Sequence, residues 1–134
     1  MTLLVPDVGE CEILDCAFKD ASPEALTLRL YSNNYDCVEG STAGNFTECS
    51  GSGYGAKSLS RAGWNSATTT TGTSSIVYGT AQTFNWTGAI TVVGYYIVGT
   101  TSGTLYWAER LYAGAGQAFA NGDSLTITPK IQLE

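Results

Sequence analysis

"ITVVGYYIVGTTSGTLYWAERL" (residues 90–111) is the densest apolar and aromatic run of the chain, and its reading decides the fold. Residues 90–98 are apolar on both parities, with Ile90, Val92, Tyr96 and Val98 on one and Val93, Tyr95 and Ile97 on the other. A strand of that pattern is covered on two faces. TTSG (100–103) reads as a turn, after which 104–112 return with Leu105, Trp107 and Leu111 on one side. The run is therefore expected to be a β-hairpin, central in its sheet.

The flanking text is also β. LTLRLY (26–31) alternates, with Leu26, Leu28 and Leu30 expected inward and Thr27, Arg29 and Tyr31 outward. SNNYDCVEGSTAGNF is a long polar loop, and GYGAKSLSRAGW (53–64) a weaker strand, bulged at its glycines. NSATTTTGTSS (65–75) has no apolar face and reads as an exposed edge or loop. IVYGTAQTFNW (76–86) is strand-like, with Ile76, Tyr78, Phe84 and Trp86 of one parity. SLTITPKIQL (124–133) alternates to its end, but Pro129 cannot donate to a ladder, so the strand lies at an edge or stops pairing there. Before all of these, Val8, Cys11, Leu14 and Phe18 recur at helical steps. They predict a short helix over 7–19, with Asp7 and Glu10 as a capping box and Lys19 near its C-terminus. DASPEA then ends it, because the residue before Pro23 avoids the α region. The fold expected is mainly β, an antiparallel β-sandwich or barrel-like single domain over 1–134, with one short N-terminal helix and a β body over 26–133.

Composition narrows function by exclusion. The chain has 134 residues, of which 13% are charged, and a net charge of −6. Nine of its twelve acids precede residue 50. Without a basic cluster, nucleic acid is not an expected partner. The absence of His removes the commonest general base and metal ligand together. No stretch reaches the roughly 20 apolar residues of a membrane span, and MTLLVPDVGECEILD has no signal-peptide pattern, so a chain made in a cytoplasm and free of membrane is expected. Asn45-Phe-Thr47 and Asn85-Trp-Thr87 are then chance glycosylation matches. Cys11, Cys16, Cys37 and Cys49 lack paired metal-site spacing and read as buried free thiols, with a later disulfide left open.

Glu109 and Arg110 are the only charges between residues 62 and 122. As strand neighbours they point to opposite faces and do not pair with each other. Glu109 shares its parity with Trp107 and Leu111, an apolar setting that suits a general acid. The alternative is a pair with Arg29 or Arg61 from a neighbouring strand or subunit. With no second acid nearby and no His, packing is the reading adopted; no catalytic residue, metal or cofactor is expected. Trp64, Trp86 and Trp107 with Tyr95, Tyr96 and Tyr106 suit either sugar stacking or a sheet core, and their place inside strands favours the core. A hairpin apolar on both faces in a sparsely charged chain predicts an oligomer that supplies the second cover.

The chain also resembles a family of small structural proteins of tailed bacteriophages, including phages of cyanobacteria. The pattern runs through VPDVGE (5–10), LTLRLYSNNY (26–35), FTECSGSGYGAKSL (46–59), Trp64, VVGYYIVGTTSGTLYWAERL (92–111) and NGDSLTITPKIQL (121–133). The four cysteines stand outside it. The resemblance implies a virion component, of which a capsid decoration (cement) protein is the form adopted. Such a protein is a small β-rich homotrimer that binds the major capsid protein across capsomer junctions, through contacts each above ~1,000 Å² and with avidity from many copies. Tyr95, Tyr96, Ile97, Trp107, Glu109 and Arg110 are its expected oligomer or capsid interface. A tail adaptor or fibre-tip module, and a lectin-like carbohydrate-binding module, are the alternatives.

Overall fold

A computed structural model describes residues 3–9, 11, 13, 23–71 and 73–133. Among the described residues twelve strands are formed, all paired antiparallel: β1 (Leu3–Leu4), β2 (Leu26–Tyr31), β3 (Lys57–Leu59), β4 (Thr68–Thr70), β5 (Thr73–Val77), β6 (Gln82–Asn85), β7 (Ile90–Val92), β8 (Gly94–Gly99), β9 (Leu105–Arg110), β10 (Gln117–Phe119), β11 (Ser124–Ile127) and β12 (Lys130–Leu133). The main sheet has the order β1-β9-β8-β2-β3. Shorter ladders pair β10 with β7, β11 with β6, and β5 with both β12 and β4. The predicted mainly β, antiparallel architecture is what the chain adopts; the layers face each other as in a sandwich without closing into a barrel. Residues 7–9, 11 and 13 are helical. The rest of the expected 7–19 helix, including Glu10, Cys16 and Lys19, lies outside the described residues.

The β8–β9 hairpin is central, as its composition predicts, and β8 is buried along its whole length. Its turn is the expected 100–103 segment, closed by Gly99 N–H to Thr104 C=O and Gly103 N–H to Gly99 C=O. Gly103 takes φ +71°, a conformation that suits glycine. Glu24 pins this turn from outside: its carboxylate accepts from the N–H groups of Thr101 (2.6 Å) and Ser102 (3.0 Å) and from the Ser102 hydroxyl. Partial burial works against the charge, but these donors win and hold the Glu24 carboxyl below its ordinary value.

Each face of the sheet has its own cover. Leu26, Leu28, Leu30, Tyr95, Ile97 and Trp107 pack with Phe84, Trp86 and Ile127 of the shorter ladders to make the larger core. On the other face, Tyr31, Val93, Tyr96, Val98 and Ala108 form a second core under Phe46, with Tyr35 and Ala43 packed beside it. Phe46 stacks on Tyr96 (centroids 4.9 Å apart) and meets Tyr31 edge-on at 4.9 Å. The polar loop is therefore the lid of the second face, and Tyr31, expected outward, is buried beneath it.

Several strands are shorter than their patterns imply. The 90–98 run divides at Val93, where the chain leaves the β7 ladder and enters the main sheet. Val93 donates to Tyr31 C=O while its own carbonyl takes the N–H groups of Leu111 and Tyr112. The next residue must be small, because a side chain at Gly94 would strike the Glu109 carbonyl and the Tyr31 ring. The 76–86 segment divides around Gly79–Ala81 into β5 and β6, and 124–133 divides before Pro129 as expected. The 53–64 segment keeps only β3 and continues as a 3-10 turn, Arg61–Gly63. In β9 a bulge leaves Tyr106 unopposed, since Val98 faces Leu105 and Ile97 faces Trp107. Leu105 thereby joins the second core while Trp107 stays in the first, so the two do not share a face as alternation predicts.

Phe46→Ala is expected to cost about 3–5 kcal/mol in urea denaturation and to make Tyr96 reachable by a hydrophobic dye. A near-neutral effect would mean that another body covers this face. Glu24→Gln is expected to cost about 1 kcal/mol at neutral pH, the charge-assisted bonds being discounted for solvent. The Glu24 pKa lies below its unfolded value, so this contribution is full above pH 4.5 and fades as pH falls through the folded pKa. The difference between the two proteins should shrink in acid.

Candidate functional site

Strand β9 separates its two charges as predicted. Arg110 points to the loop side. Its guanidinium donates to Asp36 Oδ1 (2.9 Å), Asn34 Oδ1 (2.5 Å), Gly114 C=O (2.6 Å) and Tyr112 C=O (2.9 Å). A planar fork suits this task, because one group holds the 34–36 loop and the turn after β9 in a fixed relation. Arg110 is thus an organiser of the lid over the second core.

Glu109 points the other way, toward the larger core. Tyr95 stands directly opposite it in the ladder and donates its hydroxyl to Glu109 Oε2 at 2.7 Å. Within the chain the partner of Glu109 is therefore neither Arg29 nor Arg61. Arg29 pairs with Glu48 at 2.9 Å, and Arg61 donates to the Glu24 carbonyl and lies over the Tyr106 ring. The Arg29–Glu48 pair belongs to a network in which Tyr54 donates to Glu48 Oε1 (2.8 Å) and accepts from Leu30 N–H.

An open cleft of about 360 Å³ lies over Glu109, between the main sheet and β11. Tyr95, Glu109, Thr126 and Thr128 line it together with Leu111, Tyr112, Leu125 and Ile127. Burial, reinforced by the bonded Glu109 carboxylate, pushes the Tyr95 phenol well above its ordinary value. The nearby Trp107 indole N–H works weakly the other way without the geometry of a completed hydrogen bond. Tyr95 is therefore a neutral donor at every physiological pH, and Glu109 an acceptor with one oxygen engaged. The cleft was not legible in the sequence, since Leu111 and Leu125 meet only through the tertiary fold.

Of the six residues expected at an interface, Tyr95, Tyr96, Ile97 and Trp107 are at most 3% exposed within this one chain. The protein covers them itself, which removes the argument that a second subunit must do so. Glu109 and Arg110 are half-buried. Trp86 is sealed in the core and Trp64 half-buried, and the indole N–H groups of all three tryptophans find no acceptor among the described residues. These rings serve packing. Cys11, Cys37 and Cys49 are unpaired, with Cys49 alone buried, and no cluster of metal-ligating side chains occurs among the described residues. No family model, curated protein or solved structure matches the chain.

Buried phenols and thiols make a prediction at high pH. Burial lifts Tyr31 to about 12 and Cys49 to about 11, and raises Tyr54, Tyr95 and Tyr96 as well. The unfolded chain releases these protons near 9 for Cys and 10 for Tyr, so the native state binds more protons above those values. Stability is full below pH 9 and falls as pH rises through 10–12. Urea midpoints should decline over that range, and tyrosinate absorbance of the buried rings should appear together with unfolding rather than before it.

Proposed function

We propose that the chain is a structural component of a tailed-phage particle, of the head-decorating kind, binding the major capsid protein as a homotrimer. Support comes from where the shared pattern falls. Its segments become β2, β3, the β8–β9 hairpin, β11 and β12, which are the frame of the fold. What the resemblance shares is a rigid scaffold rather than a reaction centre.

The contact surface in this reading is moved away from the hairpin core. Val8 and Val38 are the exposed large apolar side chains among the described residues, at 37% and 56%. Asp7 N–H donates to Glu39 C=O, so the segments that carry Val8 and Val38 meet there, and Asp7, Asp36 and Glu39 on the same segments are exposed. Exposed apolar side chains on segments that also carry charge are the composition of a protein contact. This composition is the observation that carries the reading.

The test is a copy count by gel densitometry of purified particles that carry the chain, with Val38→Asp as the variant. Decoration requires copies in the hundreds and a marked loss of bound copies in the variant, whose exposed site leaves folding intact. About a dozen copies at one vertex would assign the chain to the tail instead, and retention of the variant at full occupancy would move the contact elsewhere.

A further inference from the structure

The Glu109 cleft sets a carboxylate that has no cationic partner among the described residues beside several apolar side chains. Glu109 Oε2 holds the Tyr95 hydroxyl, and no Lys or Arg lines the cleft among the described residues. Arg29, Arg61 and Arg110 are each engaged elsewhere. Leu111, Leu125 and Ile127 line the same cleft, and apolar walls beside a charge lower the local dielectric, which strengthens its attraction for a cation. Tyr112 adds an aromatic wall. The volume falls in the range of small-ligand sites.

The available chemistry selects among ligands. A sugar needs several directional donors and acceptors around its ring. Here the Tyr95 proton is committed to Glu109 and the Thr126 hydroxyl is paired with Thr83 at 2.9 Å, which leaves the Thr128 and Tyr112 hydroxyls as the other side-chain donors of the lining. An anion is repelled. A group with a positive head and an apolar stem meets each feature, with its head on Glu109 and its stem along the leucines and the Tyr112 ring.

We propose that this cleft is a binding site for an alkylammonium group, with Glu109 as its counter-ion and Tyr95 as the positioning residue that holds the carboxylate. The site does not rest on the particle reading, because it is a property of the isolated chain.

The experiment is an amide NMR titration of the full chain with n-butylammonium chloride, at constant ionic strength. 1-Butanol, methyl glucoside and Nα-acetyl-lysine N-methylamide are run in parallel. Saturable shifts centred on residues 95, 109–112 and 125–127 are expected with butylammonium and not with 1-butanol. Glu109→Gln keeps an acceptor for Tyr95 and is expected to weaken binding at least about tenfold, the scale of one lost charge contact. Tyr112→Leu keeps an apolar wall and is expected to weaken it about threefold. Binding of the blocked lysine as tight as that of butylammonium supports the site with a protein side chain as its source. Exclusion of the blocked lysine with butylammonium retained supports it with a free amine as its source. Absence of saturable shifts, an equal response to 1-butanol, or unchanged binding by a folded Glu109→Gln overturns the proposal. Saturable binding of methyl glucoside without butylammonium overturns it too, and makes the cleft a sugar site.

Discussion

A strand apolar on both faces needs two covers, and the rest of this structure follows from how one short chain supplies both. β8 is buried from Gly94 to Gly99. The shorter ladders close one side with Phe84, Trp86 and Ile127, and the 33–48 loop closes the other with Phe46. The second cover is the less obvious solution, because the loop is polar in composition. It works by presenting few apolar side chains at the right place. Phe46 alone touches Tyr31, Tyr35 and Tyr96, and the backbone around it is tied down by Asn33, whose side chain bridges Asn45 C=O and Thr47 N–H.

Holding a loop over a core requires polar fasteners, and the few charged residues are placed to act as such. Arg110 gathers Asn34, Asp36 and the turn after β9; Arg29 and Tyr54 meet at Glu48; Glu24 closes the hairpin turn. Each joins segments far apart in sequence, and each is charge-assisted, the stronger form of hydrogen bond. A low charge count is therefore compatible with a chain that covers its own sheet, since several of these charges are engaged in tying loops down. Glu109 is placed differently. Among the described residues its side-chain partner is a neutral phenol, and the carboxylate lines the open cleft.

The larger departures from alternation have local physical causes. A single extra residue at Tyr106 reverses the facing of Leu105, because side chains in a strand repeat every second residue. The crossing at Val93 divides a continuous apolar run between two sheets, and Gly94 permits the tight passage against Tyr31. The exposed Thr68–Thr70 strand and the stop before Pro129 obey their composition directly.

By itself the sequence determined the antiparallel β class, the hairpin with its 100–103 turn, the central place of that hairpin, and the opposite facing of Glu109 and Arg110. These depend on periodicity and turn chemistry, which neighbouring residues encode. Only the tertiary structure decided what covers Tyr96, where long runs break between ladders, which partner Glu109 finds, and that a cleft opens between Leu111 and Leu125. Those features join residues tens of positions apart. Composition shows that an apolar face must be buried, but non-directional burial does not specify whether a loop of the same chain or a second molecule does the burying.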